Sequence, residues 1–320
     1  MFRYGEYIRA IYEEKSFVGA ANRLHISQSS LSLTIKKAED RIGARIFNRD
    51  THPLTLTPFG KKYMEALDVL QHQEELLKNF IADSQNLKNG SLNIAAGASN
   101  IAYILPPILA EYHDLYPNIT VHFYEKTLQD IHSIVARGEI DLFFSTSFLD
   151  QNIYRQYRLF HERLFLVIPT RFTTKTQRDL YSVPFSQILE PEKSLPSYLP
   201  LEEVKDIPFV LLRTGNDIRT RAMQLLNDGG VQPHILYELD QSTNAYLLSI
   251  NGIGATVISD LLIHKMGSQD NVIYFRLRGP VASRYNSLYI RRDKPMTHAM
   301  KAFIDVATSD KIKQSIGVKE

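Results

Sequence analysis

Residues 16–39 read Ser16-Phe17-Val18-Gly19-Ala20-Ala21-Asn22-Arg23-Leu24-His25-Ile26-Ser27-Gln28-Ser29-Ser30-Leu31-Ser32-Leu33-Thr34-Ile35-Lys36-Lys37-Ala38-Glu39. Ser16 stands where a helix N-cap belongs, and Val18–Leu24 is short, alanine-rich and helical. The pattern breaks at His25-Ile26. Ser27 is a second N-cap, and Gln28–Glu39 continues as a helix with Leu31 and Ile35 on one face. Two short helices joined by a tight turn predict a helix-turn-helix. The second helix opens with Ser27, Gln28, Ser29 and Ser30, and its outer face adds Ser32, Thr34, Lys36 and Lys37. Short hydrogen-bonding groups followed by cations suit a helix whose first turn reads base edges while its flanks hold phosphates. The helical pattern alone fits a small bundle with a solvated polar face equally well.

The flanks favour the DNA-binding alternative. Upstream, Tyr4, Tyr7, Ile8, Ile11 and Tyr12 recur at helical spacing over Tyr4–Glu14. Downstream, Ile46–Arg49 and Leu54–Leu56 alternate around residues 50–53, which predicts a small hairpin, or wing. Arg49 on that wing is positioned to reach a phosphate or a minor groove. Thr57 then caps a new helix with Pro58 at its first position.

These residues together resemble the N-terminal signature of LysR-type transcriptional regulators. The match is carried by Ser16-Phe17, Ala20-Ala21, Leu24, Ile26-Ser27-Gln28-Ser29, Ser32, Ile35, Glu39, Gly43, Phe47, Arg49, Leu56-Thr57 and Gly60. Ala38 and Ile46 stand where the family usually has leucine. The resemblance implies that Ser27–Ser32 approach the major groove of double-stranded DNA, with Gln28, Ser29 and Ser30 as base readers. The expected DNA contacts are therefore Ser27, Gln28, Ser29, Ser30, Ser32, Lys36, Lys37 and Arg49.

From Pro58 to residue 88, Phe59, Tyr63, Leu67, Leu70, Leu77 and Ile81 form an apolar stripe with no stop signal before Asn89-Gly90. A helix of ~30 residues, roughly 45 Å long, cannot bury such a stripe alone. Tyr63, Leu67, Leu70, Leu77 and Ile81 are the expected dimerisation contacts; a core helix packed on its own body is the alternative. In the family this helix pairs subunits, and dimers pair into tetramers. The expected organisation is a DNA-binding domain over 1–57, a linker helix over 58–89 and an effector domain over 90–310.

Within 90–310, strands and helices alternate, so the fold class is α/β behind a mainly α head. Strands are expected at Leu92–Ala96, Ile119–Tyr124, Asp141–Ser145, Leu164–Ile168, Phe209–Leu212, Ile235–Glu238, Ala255–Ile258, Val272–Leu277 and Tyr285–Arg291. Helices are expected at Ile101–Leu115, Leu128–Arg137, Arg219–Asn227, Thr243–Asn251 and Met296–Val306. The pattern resembles the family's two-lobed effector domain, which is itself similar to type 2 periplasmic binding proteins. Lobe I is expected at about 90–162 and 269–310, lobe II at about 163–268. Ligands in such sheets bind beyond the carboxyl ends of strands, at helix N-termini. Those positions hold Ala98, Ser99, Asn100, Thr127, Ser145, Thr146, Arg213, Thr214 and Asn216, and helix starts with Arg213 favour an anionic small molecule. Residues 181–208 are longer than the family's usual connection and hold five of the 14 prolines, which fits a lid, a subunit contact or a tolerated surface loop.

Composition fits this reading. Residues 1–62 carry 11 Lys/Arg against 6 Asp/Glu, whereas the remainder carries 26 against 29, within an overall net charge of +2. There is no cysteine, which excludes disulfides and thiolate chemistry and points to a reducing compartment. No signal peptide or membrane span is read, so a cytoplasmic protein without membrane contact is expected. His161-Glu162-Arg163-Leu164-Phe165 begins like a zinc-binding motif but lacks the second histidine. Gly252-Ile253-Gly254 follows a helix and lacks the third glycine of a dinucleotide loop. No metal, cofactor or catalytic residue is expected. The resemblance adds a homo-oligomer and RNA polymerase as protein partners. The alternatives are a cytoplasmic small-molecule-binding protein or an enzyme with an incidental basic head.

Overall fold

The computed structural model describes residues 2–49, 51, 53–84, 90–126, 128–190 and 195–317. The chain forms two compact units, a head (Met1–Lys78 with Arg137–Glu139) and a body (Asn79–Ala136 with Ile140–Glu320).

In the head, α1 (Gly5–Glu14), α2 (Phe17–Arg23) and α3 (Gln28–Ile42) precede a hairpin of β1 (Phe47–Asn48) and β2 (Thr55–Leu56), and α4 (Pro58–Ser84) follows. The two serine caps do what their positions predict: Ser16 Oγ accepts from Gly19 N at 3.3 Å and Ser27 Oγ from Ser30 N at 3.2 Å. His25 makes the turn between α2 and α3 in the left-handed region, φ 54°. Helix α3 runs three residues past Glu39, because Gly43 at φ 81° is the first residue able to end it. Gly60 marks a close approach: a Cβ there would lie 2.1 Å from the Ile46 carbonyl oxygen, so α4 seats directly on the wing.

The stripe on α4 divides. Tyr63 and Leu67 are buried in the head's own core with Ile8, Leu31, Ile35 and Phe47. That corrects their expected place in a subunit interface. Leu70 and Leu77 are 43% and 60% exposed. The side chain of Ile81 lies outside the described residues.

The body is built on one long strand. In chain order its elements are β3 (Gly90–Ala96), α5 (Ala98–Tyr103), α6 (Leu105–Leu115), β4 (Ile119–Glu125), α7 (Leu128–Ala136), β5 (Leu142–Ser145), β6 (Tyr154–Pro169), α8 (Lys175–Tyr181) and β7 (Ser182–Val183). Next come β8 (Pro208–Leu212), α9 (Asp217–Asp228), β9 (His234–Leu239), α10 (Ser242–Ile250), β10 (Thr256–Ser259) and α11 (Asp260–Met266). The chain closes with β11 (Val272–Arg276), β12 (Ser283–Arg291), α12 (His298–Ala307) and α13 (Asp310–Ile316).

The first ten residues of β6 pair with β12 in the lobe I sheet, ordered β4-β3-β5-β12-β6. Its last six pair with β10 and β11 in lobe II. In lobe I, β3 is parallel to β4 and β5; in lobe II, β8 is parallel to β9 and touches β10 through the Phe209–Ala255 bridge. The expected strand Leu164–Ile168 is thus the tail of a 16-residue strand that crosses between lobes. Strand β11 belongs to lobe II, and the return to lobe I comes at Ser283 rather than near residue 269.

Two further expectations change. The helix expected over Ile101–Leu115 is broken at Ile104, because Pro106 and Pro107 cannot donate to the preceding turn and instead start α6. The proline-rich segment is not a loose surface loop: Ile188, Leu199, Val204 and Ile207 are buried in lobe II. Pro191 lies outside the described residues. Gly254, read as a motif residue, has a packing reason, since a Cβ there would meet the Pro208 carbonyl oxygen at 2.7 Å.

Candidate DNA-binding face and effector cleft

In the head, Ser27, Gln28, Ser29, Ser30, Lys36 and Lys37 are all exposed on α3, and Ser32 is half-buried. The Ser27 hydroxyl lies 3.2 Å from that of Ser29, so Ser27 serves the cap and its neighbour at once. Gln28 and Ser30 carry no other side-chain bond among the described residues. The face therefore offers free short donors and acceptors at the positive end of a helix, with two cations a turn or two behind.

Arg49 behaves differently from the sequence expectation. Its Nη2 donates to Glu39 Oε2 at 2.9 Å and its guanidinium lies 5.4 Å from the Phe17 ring centre. Glu39 is only 7% exposed in its side chain, and its Oε1 accepts from the Ile46 and Phe47 backbone at 2.7 and 3.3 Å. One buried carboxylate thus ties the recognition helix to the first wing strand, and Arg49 neutralises it. A third of the Arg49 side chain stays exposed, so it holds the wing first and faces solvent second. Glu39 was visible in the sequence only as a signature residue; a carboxylate on the buried face of α3 was the available signal.

In the body, residues of the two lobes meet at Thr146 after β5 and at Tyr103 of α5, through partners the sequence pattern left out. Thr146, after β5 in lobe I, donates from Oγ1 to Asp217 Oδ2 of α9 in lobe II at 3.1 Å. Tyr103 of α5 and Thr243 of α10 place their hydroxyls 3.2 Å apart, again lobe to lobe. Asn100 Oδ1 accepts from Asn286 Nδ2 on β12 at 2.6 Å. Ser145 is buried and its Oγ accepts from Ser147 N at 3.1 Å, an internal turn contact. Asn216 caps α9 through Ile218 N at 2.9 Å. Ala98 is half-buried, and Ser99 and Thr214 are exposed. Thr127 lies outside the described residues.

Arg213 does not reach Asp217. It is 65% exposed and lies 3.6 Å from Asp240. The cations that hold Asp217 are Arg221 and Arg284, at 2.9 and 2.7 Å, and Arg284 also pairs with Glu162 at 2.6 Å. Next to them Arg163 meets Asp260 at 3.2 Å. Burial, with Glu162 close by, pushes the Asp260 carboxyl up to about 7 in spite of Arg163. The zinc-like run is therefore a strand whose Glu162 and Arg163 belong to ion pairs at the lobe crossover.

No group of three or more metal-ligating side chains occurs among the described residues, and no described helix is long and apolar enough to cross a membrane. Comparison with known proteins decides the family. The LysR substrate binding domain matches residues 85–310, and the bacterial regulatory helix-turn-helix of the lysR family matches residues 2–61. The chain belongs to the LysR family of transcriptional regulators. An uncharacterized HTH-type transcriptional regulator of Bacillus subtilis (strain 168), YcgK, is 27% identical over 94% of this chain and 92% of its own. CzcR of the same organism is 25% identical over 95% of each chain. Among solved structures, full-length CbnR complexed with its target DNA is 18% identical with a TM-score of 0.69, covering 96% of this chain and 98% of that one. Full-length OxyR from Pseudomonas aeruginosa is 19% identical with a TM-score of 0.64, covering 96% and 94%. These likenesses support the fold. This LysR regulator carries a DNA-binding helix-turn-helix and an effector-binding domain, and it is not an enzyme.

Arg49→Ala separates wing-holding from phosphate contact. Removing the partner of a buried carboxylate is expected to destabilise the head by about 1–3 kcal/mol, read as a lowered urea midpoint. An unchanged midpoint with only a flatter salt dependence of DNA binding would make Arg49 a free phosphate contact instead.

Proposed function

We propose that this regulator binds operator DNA through Ser27, Gln28, Ser29, Ser30 and Ser32 of α3, with Lys36 and Lys37 on the phosphates, and responds to a small molecule held in the cleft between its two lobes. The observation that carries the first half is the exposed polar turn that opens α3, where the Gln28 and Ser30 side chains have no partner among the described residues. Support for the second half comes from residues of both lobes meeting at Thr146–Asp217 and Tyr103–Thr243. A molecule touching both lobes favours one arrangement of them, and it alters DNA affinity only by its differential affinity for the two arrangements. Ser99, Asn100 and Thr214 remain candidate ligand contacts on this reading.

The working form on this reading is a homo-oligomer. Leu70 and Leu77, apolar and exposed on α4, favour a partner helix. Double-stranded DNA and RNA polymerase are the macromolecular partners, which makes the cytoplasm the place of action.

A gel shift with the DNA upstream of the chain's own coding region tests the DNA half. Gln28→Ala is expected to weaken binding about 5–150-fold, equivalent to 1–3 kcal/mol, and to relax selectivity at one base pair. Binding as tight and as selective as that of the unaltered chain would remove Gln28 from the reading face.

Leu77→Glu tests assembly by placing a charge where a dry contact is expected. Sedimentation should move toward the monomer, with DNA affinity falling because two half-sites need two heads. An unchanged oligomer would take α4 out of the interface.

A further inference from the structure

Donors from three segments converge on one oxygen of Asp217. Thr146 Oγ1 reaches Oδ2 from lobe I at 3.1 Å, Arg221 Nε from α9 at 2.9 Å, and Arg284 Nη1 from the crossover at 2.7 Å. Asp217 is also the first residue of α9, a 12-residue helix, so its carboxylate sits at the positive end of the peptide dipoles. The Arg284 side chain is 8% exposed, and Glu162 takes its other edge at 2.6 Å. Arg221 donates its Nη1 to the Val281 and Ser283 carbonyls at 3.3 Å. Two guanidinium groups therefore face two carboxylates, and no positive charge is left over. A guanidinium pair, a hydroxyl and a helix start make an anion receptor. Here the anion is the chain's own.

We propose that Asp217 is a specificity-determining residue of the effector cleft: it fills the anion position between the lobes, so the effector offers an N–H or O–H at this point and is neutral or cationic there. The proposal rests on the reading of the cleft as the effector site. An incoming carboxylate would meet the Asp217 carboxylate in a partly buried place, with both neighbouring guanidinium groups already paired. A donor would meet Asp217 Oδ1, which accepts from no group among the described residues. Asn286 Oδ1, buried beside Asn100, likewise has no partner among the described residues. Both open positions are acceptors. That revises the anionic effector expected from helix starts and Arg213.

The test empties the anion position and offers it a small substitute. Melting curves of Asp217→Ala and the unaltered chain are compared across matched formate concentrations, so that general salt effects cancel. Formate should raise the variant's melting temperature saturably, by several degrees more than that of the unaltered chain. Asp217→Ser, a residue that helix starts favour, gives a second vacancy should the alanine variant not fold. A folded variant that responds to formate no more than the unaltered chain overturns the proposal, as does saturable stabilisation of the unaltered chain by formate. The operator gel shift is run without formate. Its failure counts against the DNA-binding reading and leaves the formate result standing, and a failed formate test leaves DNA binding untouched.

Discussion

Arg284 is the group on which the body's arrangement depends. A guanidinium 8% exposed is tolerable only when its charge and its donors are matched, and Glu162 and Asp217 supply both, at 2.6 and 2.7 Å. Those two carboxylates come from different places: Glu162 from the strand that leaves lobe I, Asp217 from the helix that opens lobe II. Arg284 itself sits on the strand that returns. Both crossovers and the cleft-facing end of α9 are thereby fixed to one cation. Desolvation is a cost shared by every member, so removing one leaves the rest worse placed than if the network had never formed.

The head repeats the device on a smaller scale. Glu39, buried on α3, takes two backbone donors of the wing and one guanidinium, and so sets the wing strand relative to the recognition helix. With the buried charge satisfied internally, the first turn of α3 is left with its hydroxyls and Gln28 for a partner. Both units thus use buried carboxylates for geometry and leave exposed neutral polar groups available for contact.

Much of this was legible in the sequence where local chemistry dictates structure. Ser16 and Ser27 cap helices because a short oxygen there satisfies an orphan N–H. The alternation of strands and helices in the body was readable for the same reason. Apart from the helix break before Pro106 and the longer end of α3, the differences involve partners distant in sequence. Tyr63 and Leu67 carry the same periodicity as Leu70 and Leu77, and nothing local says that the head covers the first pair and not the second. Strand β6 was read as five residues, because its first half mixes charged and apolar side chains and its pairing with β12 spans more than a hundred residues. Arg213 looks like the cleft's cation because it directly follows a strand; the cation that reaches Asp217 there, Arg284, lies 67 residues from Asp217 in the chain. In the sequence Asp217 stands out only as a nearby partner for Arg213, since a carboxylate at a helix start has an ordinary explanation as a dipole partner.

The absence of cysteine permits a direct measurement of the central claim, that the Arg284 network holds the lobes in one arrangement. His113→Cys on α6 and Asp228→Cys on α9 put one exposed label in each lobe, and dilution with unlabelled chain isolates the distance within a subunit. The unaltered network predicts one narrow distance distribution, and Arg284→Met, in a chain that remains folded, predicts a broadened or displaced one. An Arg284→Met distribution as narrow as the original and centred at the same distance would contradict the account.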